Sequence, residues 1–180
     1  MWLTHLGAKV VGASIDTLSD PSNFSASSIG DVIEAHRLDI RDAKLLKSLV
    51  EKVQPYFVFH LAAQALVRPS YENPLETMTT NAIGSANMLD ALRCLDKKVV
   101  VVMITSDKSY DNQEWVWGYR ENEPMGGHDP YSSSKGCAEL LIASFRDSFF
   151  PNHDFEKHKT GIASVRAGNV IGGGDWAEDR

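Results

Sequence analysis

Cysteine is scarce. Only Cys94 and Cys137 occur in 180 residues. They stand far apart, each within a helical pattern. That excludes a disulfide framework and reads as two reduced, buried thiols of a cytoplasmic protein. A basic excess is also lacking: 18 Lys and Arg face 24 Asp and Glu, for a net charge of −6. Nucleic acid is therefore not expected as the main partner. No apolar run nears the ~18 residues of a membrane span. The opening "MWLTHLGAKVVG" has neither the basic start nor the long apolar stretch of a secretion signal. The six histidines show no ligand spacing, so no metal is expected. Internal repeats and low-complexity linkers are absent. What remains is an ordinary globular composition, 43% apolar and 23% charged. The length suits one domain with a real core.

Strand and helix patterns alternate along the chain. "AKVVGASI" (Ala8 to Ile15) predicts a short buried strand, and a Ser/Asp/Asn-rich surface loop follows. "EAHRLDI" (Glu34 to Ile40) predicts a second strand. In "RDAKLLKSLVEKVQ", Leu45, Leu46, Leu49, Val50 and Val53 recur at helical spacing, with Pro55 just beyond. "YFVFHLAA" is a continuous apolar run, as a parallel strand buried on both faces requires. A helix over Pro74 to Leu95, a strand over Lys97 to Thr105, a helix over Tyr131 to Phe149 and a strand over Gly161 to Gly172 complete the pattern. The alternation predicts an α/β, Rossmann-like doubly wound parallel sheet in a single domain.

The ends fit that fold incompletely. Met1 to Leu6 reads as the last turns of a helix capped by Gly7. In the 3-2-1-4-5-6 strand order, the first strand and its glycine-rich, phosphate-cradling turn precede this helix. Neither is in the sequence. The far end, "GDWAEDR", stops within a continuing segment. The expectation is an internal piece of a larger protein, lacking the first strand, the glycine-rich loop and a C-terminal substrate domain. A naturally short protein is the alternative.

Chemistry concentrates at two places. "YSSSK" sets Tyr131 and Lys135 four residues apart at a helix start, hence on one face. An ammonium beside a phenol favours the phenolate, a general base, and also suits a ribose hydroxyl. Alone, the pair equally describes a solvated helix face. "TSDK" follows the strand "VVVVMI" and puts Ser106, Asp107 and Lys108 at its mouth. There a surface salt bridge worth under ~1 kcal/mol is the plain alternative.

Ser106, Tyr131 and Lys135 together resemble the catalytic trio of the short-chain dehydrogenase/reductase superfamily. "FHLAAQ" resembles a cofactor-packing strand end of its extended branch. The segments "SYDNQEWVWGYRENEPMGGHDPYSSSKGCAEL" and "VRAGNVIGGGDWAEDR" resemble the CDP-glucose type of nucleotide-sugar 4,6-dehydratase. The resemblance covers essentially the whole chain, but about the N-terminal half of that family's length.

The resemblance implies NAD as cofactor, CDP-glucose as substrate and a homodimer as the assembly. It implies cofactor contacts from Asp16, Asp39, Ile40, Leu61, Ala62, Ala63, Thr80, Tyr131, Lys135 and Val170. Gln64, Ser106 and Asn169 would face the substrate. Tyr131 would take the 4-hydroxyl proton. Asp107 would protonate the leaving 6-hydroxyl, and Lys108 would take the C5 proton. The dTDP-glucose relatives carry Asp then Glu where this chain has Asp107 and Lys108. Ser106 replaces the family's usual Thr and keeps a hydroxyl. Asp107 must act protonated and Lys108 neutral, which burial favours and an ion pair opposes. The two would then titrate as one coupled unit. "ASIDTLSD" offers Asp16 with no Lys or Arg, which favours NAD over NADP.

Several residues keep two readings. Asp39 is a cofactor ligand or a cap for the following helix. Ala62 and Ala63 admit a ligand or simply pack tightly. Trp115 and Trp117 close a loop over a sugar or pack in a core or interface. For the chain as a whole, an epimerase, a dTDP-sugar dehydratase and a non-catalytic fragment stand beside the CDP-glucose reading.

Overall fold

The structure is a computed structural model that describes residues 1–17 and 20–176. Leu18 and Ser19 of the Ser-rich loop and the last four residues of "GDWAEDR" lie outside the described residues. The described chain divides into two compact units, Met1–Asp39 with Asn169–Arg180, and Ile40–Gly168.

The first unit opens with α1 (Trp2–His5), followed by β1 (Val11–Ser14), α2 (Asn23–Ala26) and β2 (Glu34–Arg37). The expected helix end is present. Gly7 takes φ +84°, a left-handed turn that a side chain rarely tolerates, and the Ala8 N–H donates to the Leu3 carbonyl at 3.0 Å. β1 and β2 pair in parallel from Val11↔Glu34 to Ser14↔Arg37.

The second unit runs α3 (Ala43–Val53), β3 (Phe57–His60), α4 (Val67–Glu72), α5 (Pro74–Met78), α6 (Gly84–Leu92), β4 (Val99–Ser106), α7 (Pro130–Phe149), α8 (Phe155–His158) and β5 (Thr160–Ala167). Its sheet has the order β3-β4-β5, all parallel. Alternation sends Val99, Val101 and Met103 to one face, where they join Leu89, Leu92, Ile142 and Phe150 in a buried cluster. Each such fully buried side chain contributes about 1.5–3 kcal/mol. On the other face Phe57, Phe59, Val100 and Val165 stay 46–66% exposed, although parallel sheets are ordinarily covered on both faces.

Several expectations are corrected. The single sheet is observed as two, of two and three strands, among the described residues. Within their own sheets, β1 and β3 each pair along one edge only, among the described residues. The helix expected over Pro74 to Leu95 is interrupted by a wide π turn at Thr79–Ile83, between α5 and α6. β5 ends at Ala167 rather than Gly172, because its partner β4 ends at Ser106, paired with Ala167. The cap of α3 is Asp42, not Asp39: its Oδ1 accepts the N–H groups of Lys44 and Leu45 at 3.1 and 3.0 Å. Cys94 and Cys137 are half-buried free thiols rather than core residues. No described helix is long and apolar enough to cross a membrane.

Leu92 is fully buried in the cluster, whereas Leu75 is 80% exposed. Leu92→Ala is expected to lower stability by about 2–5 kcal/mol. Leu75→Ala is expected to stay within about 0.5 kcal/mol. Urea denaturation measures both, and equal losses would contradict this placement of the core.

Candidate active site

β4 carries its apolar run to Ile104 and then turns polar. Thr105 and Ser106 are buried, and Asp107–Ser109 form a single 3-10 turn. Ser106 Oγ accepts the Lys108 N–H at 3.2 Å and donates to Asp107 Oδ1 at 3.1 Å. Ser109 Oγ donates to the Ser106 carbonyl at 2.6 Å. The serine therefore caps the turn that presents Asp107 and Lys108. Both of these side chains are exposed. That corrects the expectation that burial sets their protonation states. No ion pair joins them among the described residues.

α7 begins with Asp129 as cap and Pro130 at its first position, two strong start signals. Asp129 accepts the Ser132 N–H at 3.0 Å and the Ser132 hydroxyl at 2.5 Å. This start puts half-buried Tyr131 and buried Lys135 one turn apart, with Lys135 Nζ 6.0 Å from the Tyr131 ring centre. Burial pulls the Lys135 ammonium down from 10.5 to about 8. His60, at the end of β3, is brought down from 6.5 to about 4, first by burial and then by the charge of Lys135. It is a neutral imidazole whose Nε2 lies 3.2 Å from Ser85 Oγ.

A polar lattice fixes the segment after β3. Asn81, buried in the π turn, accepts the Gln64 N–H at 2.8 Å and donates to the Gln64 carbonyl at 2.9 Å. It also donates to Ser134 Oγ on α7 at 2.8 Å. The Gln64 side chain donates to the Leu66 carbonyl and Thr77 Oγ1, both at 2.9 Å, and accepts the Leu66 N–H at 2.6 Å. Gln64 is thus engaged in shaping its own loop. Leu61 is 71% exposed, and Ala62 and Ala63 are half-buried. Thr80 is half-buried in the π turn. Ile40 is buried against Gly84 of α6, and its carbonyl accepts from Asn87 at 2.9 Å.

A second lattice lies under the ends of β4 and β5. Buried Glu139 of α7 accepts the Thr105 hydroxyl, the Ser164 hydroxyl at 3.2 Å and Arg166 at 3.0 Å. Burial works against the Arg166 charge, but hydrogen bonds to Glu139 and Tyr110 outweigh it and raise its pKa above the ordinary guanidinium value. Removing one partner of such a buried pair costs roughly 3–5 kcal/mol. The loop beyond Tyr110 is a ladder of rings. Tyr110 and Tyr119 stack at 5.0 Å, Trp115 lies 5.3 Å from Tyr119, and Trp117 lies 5.4 Å from Trp115. Gly126 abuts α7 so closely that a Cβ on Gly136 would stand 2.6 Å from the Gly126 carbonyl.

The remaining expected residues lie in the first unit. Asp16 is exposed, lines a cavity of about 580 Å³, and pairs with Arg37 at 2.9 Å. The expectation that no cation stands by Asp16 is corrected, because parallel pairing brings Arg37 from the neighbouring strand. That guanidinium is engaged: its Nε donates to the Ile15 carbonyl at 3.0 Å. Asp39 is half-buried, and Asn169 and Val170 are exposed. The second unit thus carries Ser106, Asp107, Lys108, Tyr131, Lys135, Gln64 and Thr80. Asn81, His60, Glu139 and Arg166 escaped the sequence reading. The signal for Glu139 was available: a carboxylate four residues after Lys135, between buried Ala138 and Ile142.

Comparison with known proteins follows the same lines. Residues 3–151 match the sequence profile of GDP-mannose 4,6 dehydratase. The chain is 55% identical over all 180 residues to CDP-glucose 4,6-dehydratase of Salmonella typhimurium, and covers 50% of that protein. It is 27% identical over 149 residues to CDP-paratose 2-epimerase of Salmonella typhi, covering 74% of this chain and 44% of that one. The chain therefore spans about half the length of the curated relatives it matches. In fold it is similar to UDP-glucose 4-epimerase of Thermotoga maritima, with a TM-score of 0.72 at 21% identity over 92% of this chain and 49% of that one. It is also similar to a dTDP-glucose 4,6-dehydratase of Streptomyces venezuelae solved with NAD bound, with a TM-score of 0.69 at 19% identity over 87% of this chain and 45% of that one. The shared fold is the Rossmann-like α/β arrangement.

Lys135 gives a pH signature. Its folded pKa of about 8 lies below the unfolded 10.5. Between these values the unfolded chain binds a proton that the folded one does not. Stability from this group is therefore absent below pH 8 and rises through that window, by on the order of 3 kcal/mol. Lys135→Met is expected to lose this rise in urea denaturation at pH 8 and pH 10. An undiminished rise in the variant would rule out Lys135 as its source.

Proposed function

We propose that this chain, which belongs to the GDP-mannose 4,6-dehydratase family, carries the catalytic segments of an NAD-dependent dehydratase acting on CDP-glucose. The observation that carries the reading is the capped turn after β4, which presents Asp107 beside Lys108 directly past buried Ser106. The 55% identity to a CDP-glucose 4,6-dehydratase over the full chain supports the substrate. An epimerase has no elimination to catalyse and no use for an adjacent acid and base, so this pair favours dehydration.

NAD is the cofactor of this reading, with Ile40, Leu61, Ala62, Ala63, Thr80, Tyr131 and Lys135 assigned to it in the second unit and, taken separately, Asp16, Asp39 and Val170 in the first. Arg37 is neutralised by Asp16 and engaged with the Ile15 carbonyl, which supports NAD over a 2′-phosphorylated cofactor. Bound NAD supplies a hydride acceptor for C4 and later a hydride donor for C6. Tyr131 takes the 4-hydroxyl proton, with Lys135 one turn along α7 beside it, and Ser106 orients that hydroxyl. A 4-ketone acidifies the neighbouring C5–H. Lys108 removes that proton, and Asp107 delivers one to the 6-hydroxyl so that water leaves. As C6 is reduced, Lys108 returns its proton to C5, and the proton taken by Tyr131 balances the one that Asp107 gave to the departing water. Asn169 and Gln64 belong to the sugar-diphosphate side, Gln64 through the loop it shapes.

A homodimer and a cytoplasmic setting belong to the same reading. Exposed Tyr71, Leu75 and Leu140 on α4, α5 and α7 support a helical interface. The free thiols of Cys94 and Cys137 support a reducing compartment.

In the whole protein, Lys108→Ala is expected to lower CDP-glucose dehydration by about 10²-fold or more, as loss of a general base does. NAD content should stay unchanged. Product formation followed by chromatography decides it, and turnover at the unsubstituted rate would refute the role. Equal turnover of dTDP-glucose by the unsubstituted protein would overturn the substrate assignment.

A further inference from the structure

Arg166 has no part in the chemistry above, yet its position is singular. It lies on β5 directly opposite Thr105, the residue before Ser106. One guanidinium nitrogen holds both ends of the aromatic loop: Nη1 donates to Tyr110 Oη at 2.8 Å and to the Glu121 carbonyl at 2.8 Å. The guanidinium carbon also sits 4.8 Å from the Tyr110 ring centre. The other nitrogen, Nη2, is fixed by Glu139, and the same carboxylate binds Thr105 and Ser164. Tyr110 is the residue immediately after the turn that carries Asp107 and Lys108.

We propose that Arg166, oriented by Glu139, is a positioning residue that pins the aromatic loop and thereby fixes the Asp107–Lys108 turn for elimination. The proposal rests on the dehydratase reading for its kinetic consequence but not for its structural one. Pinning both ends of the Tyr110–Glu121 segment removes its closure entropy from the reacting state. The same segment carries the stacked Trp115 and Trp117. A lysine at this position keeps a cation for Glu139 but lacks the planar fork, and so cannot serve Glu139, Tyr110 and Glu121 together.

Two variants separate the clamp from simple folding. Arg166→Lys retains the buried pairing. Tyr110→Phe removes one anchor and leaves the Glu139–Arg166 pair in place, so it keeps the test open should the first variant fold poorly. Trypsin cleavage after exposed Arg120, located by mass spectrometry well below the thermal transition, reports the loop without any turnover. Cleavage is expected to rise about tenfold in either variant with the thermal transition little changed. In the whole protein, kcat for CDP-glucose should fall about tenfold while KM stays within twofold and NAD content is constant. Cleavage at the unsubstituted rate, or faster cleavage with kcat untouched, would overturn the proposal. An unsubstituted protein that fails to dehydrate CDP-glucose would instead sink the functional reading, and the cleavage comparison would still decide the clamp.

Discussion

The second unit depends on one buried carboxylate. Glu139 lies in the middle of α7, in the row of residues that faces the sheet, where an unpaired charge would be prohibitive. It is tolerated because β4 supplies a hydroxyl from Thr105 and β5 supplies a hydroxyl from Ser164 and the guanidinium of Arg166. The three donors can meet it only if both strands and the helix are in their observed register. The carboxylate therefore locks the place where β4 ends, and that is where the candidate acid and base emerge.

A second polar lattice does the same for the neighbouring strand end. Asn81 in the π turn exchanges both main-chain bonds of Gln64 and reaches across to Ser134 of α7. A wide turn of helix is an unfavourable local geometry that recurs at functional sites. Here it turns a buried amide toward a loop that follows an apolar strand. Close by, His60 and Lys135 share a leading cause, since burial penalises charge on both, and the charge of Lys135 adds to the effect on His60. The exposed pair, Asp107 and Lys108, stands on a turn capped by Ser106.

Much of this was legible along the chain. The apolar run of "VVVVM" marked β4, and the Asp129–Pro130 start with its long amphipathic continuation marked α7. The serine, acid and base at the strand mouth, and the Tyr–Lys pair, were visible as spacing alone. Long-range partners were not. Arg37 meets Asp16 only because two strands pair in parallel. Asp42 rather than Asp39 caps α3 because the cap must lie within reach of the first free N–H groups. The end of β5 was misplaced because a strand stops where its neighbour stops, which its own residues do not record.

The sequence by itself determined which elements form and where polar chemistry interrupts them, since periodicity, capping and apolar runs act over a few residues. It also determined the pairing of Asp107 with Lys108, which adjacency alone guarantees. Tertiary structure alone decided that Glu139 and Arg166 share a bond, that Gln64 shapes its loop, and that Lys135 is buried while Asp107 and Lys108 are exposed. These outcomes depend on which distant groups are brought within hydrogen-bonding reach and on how much water each keeps, and neither quantity is local.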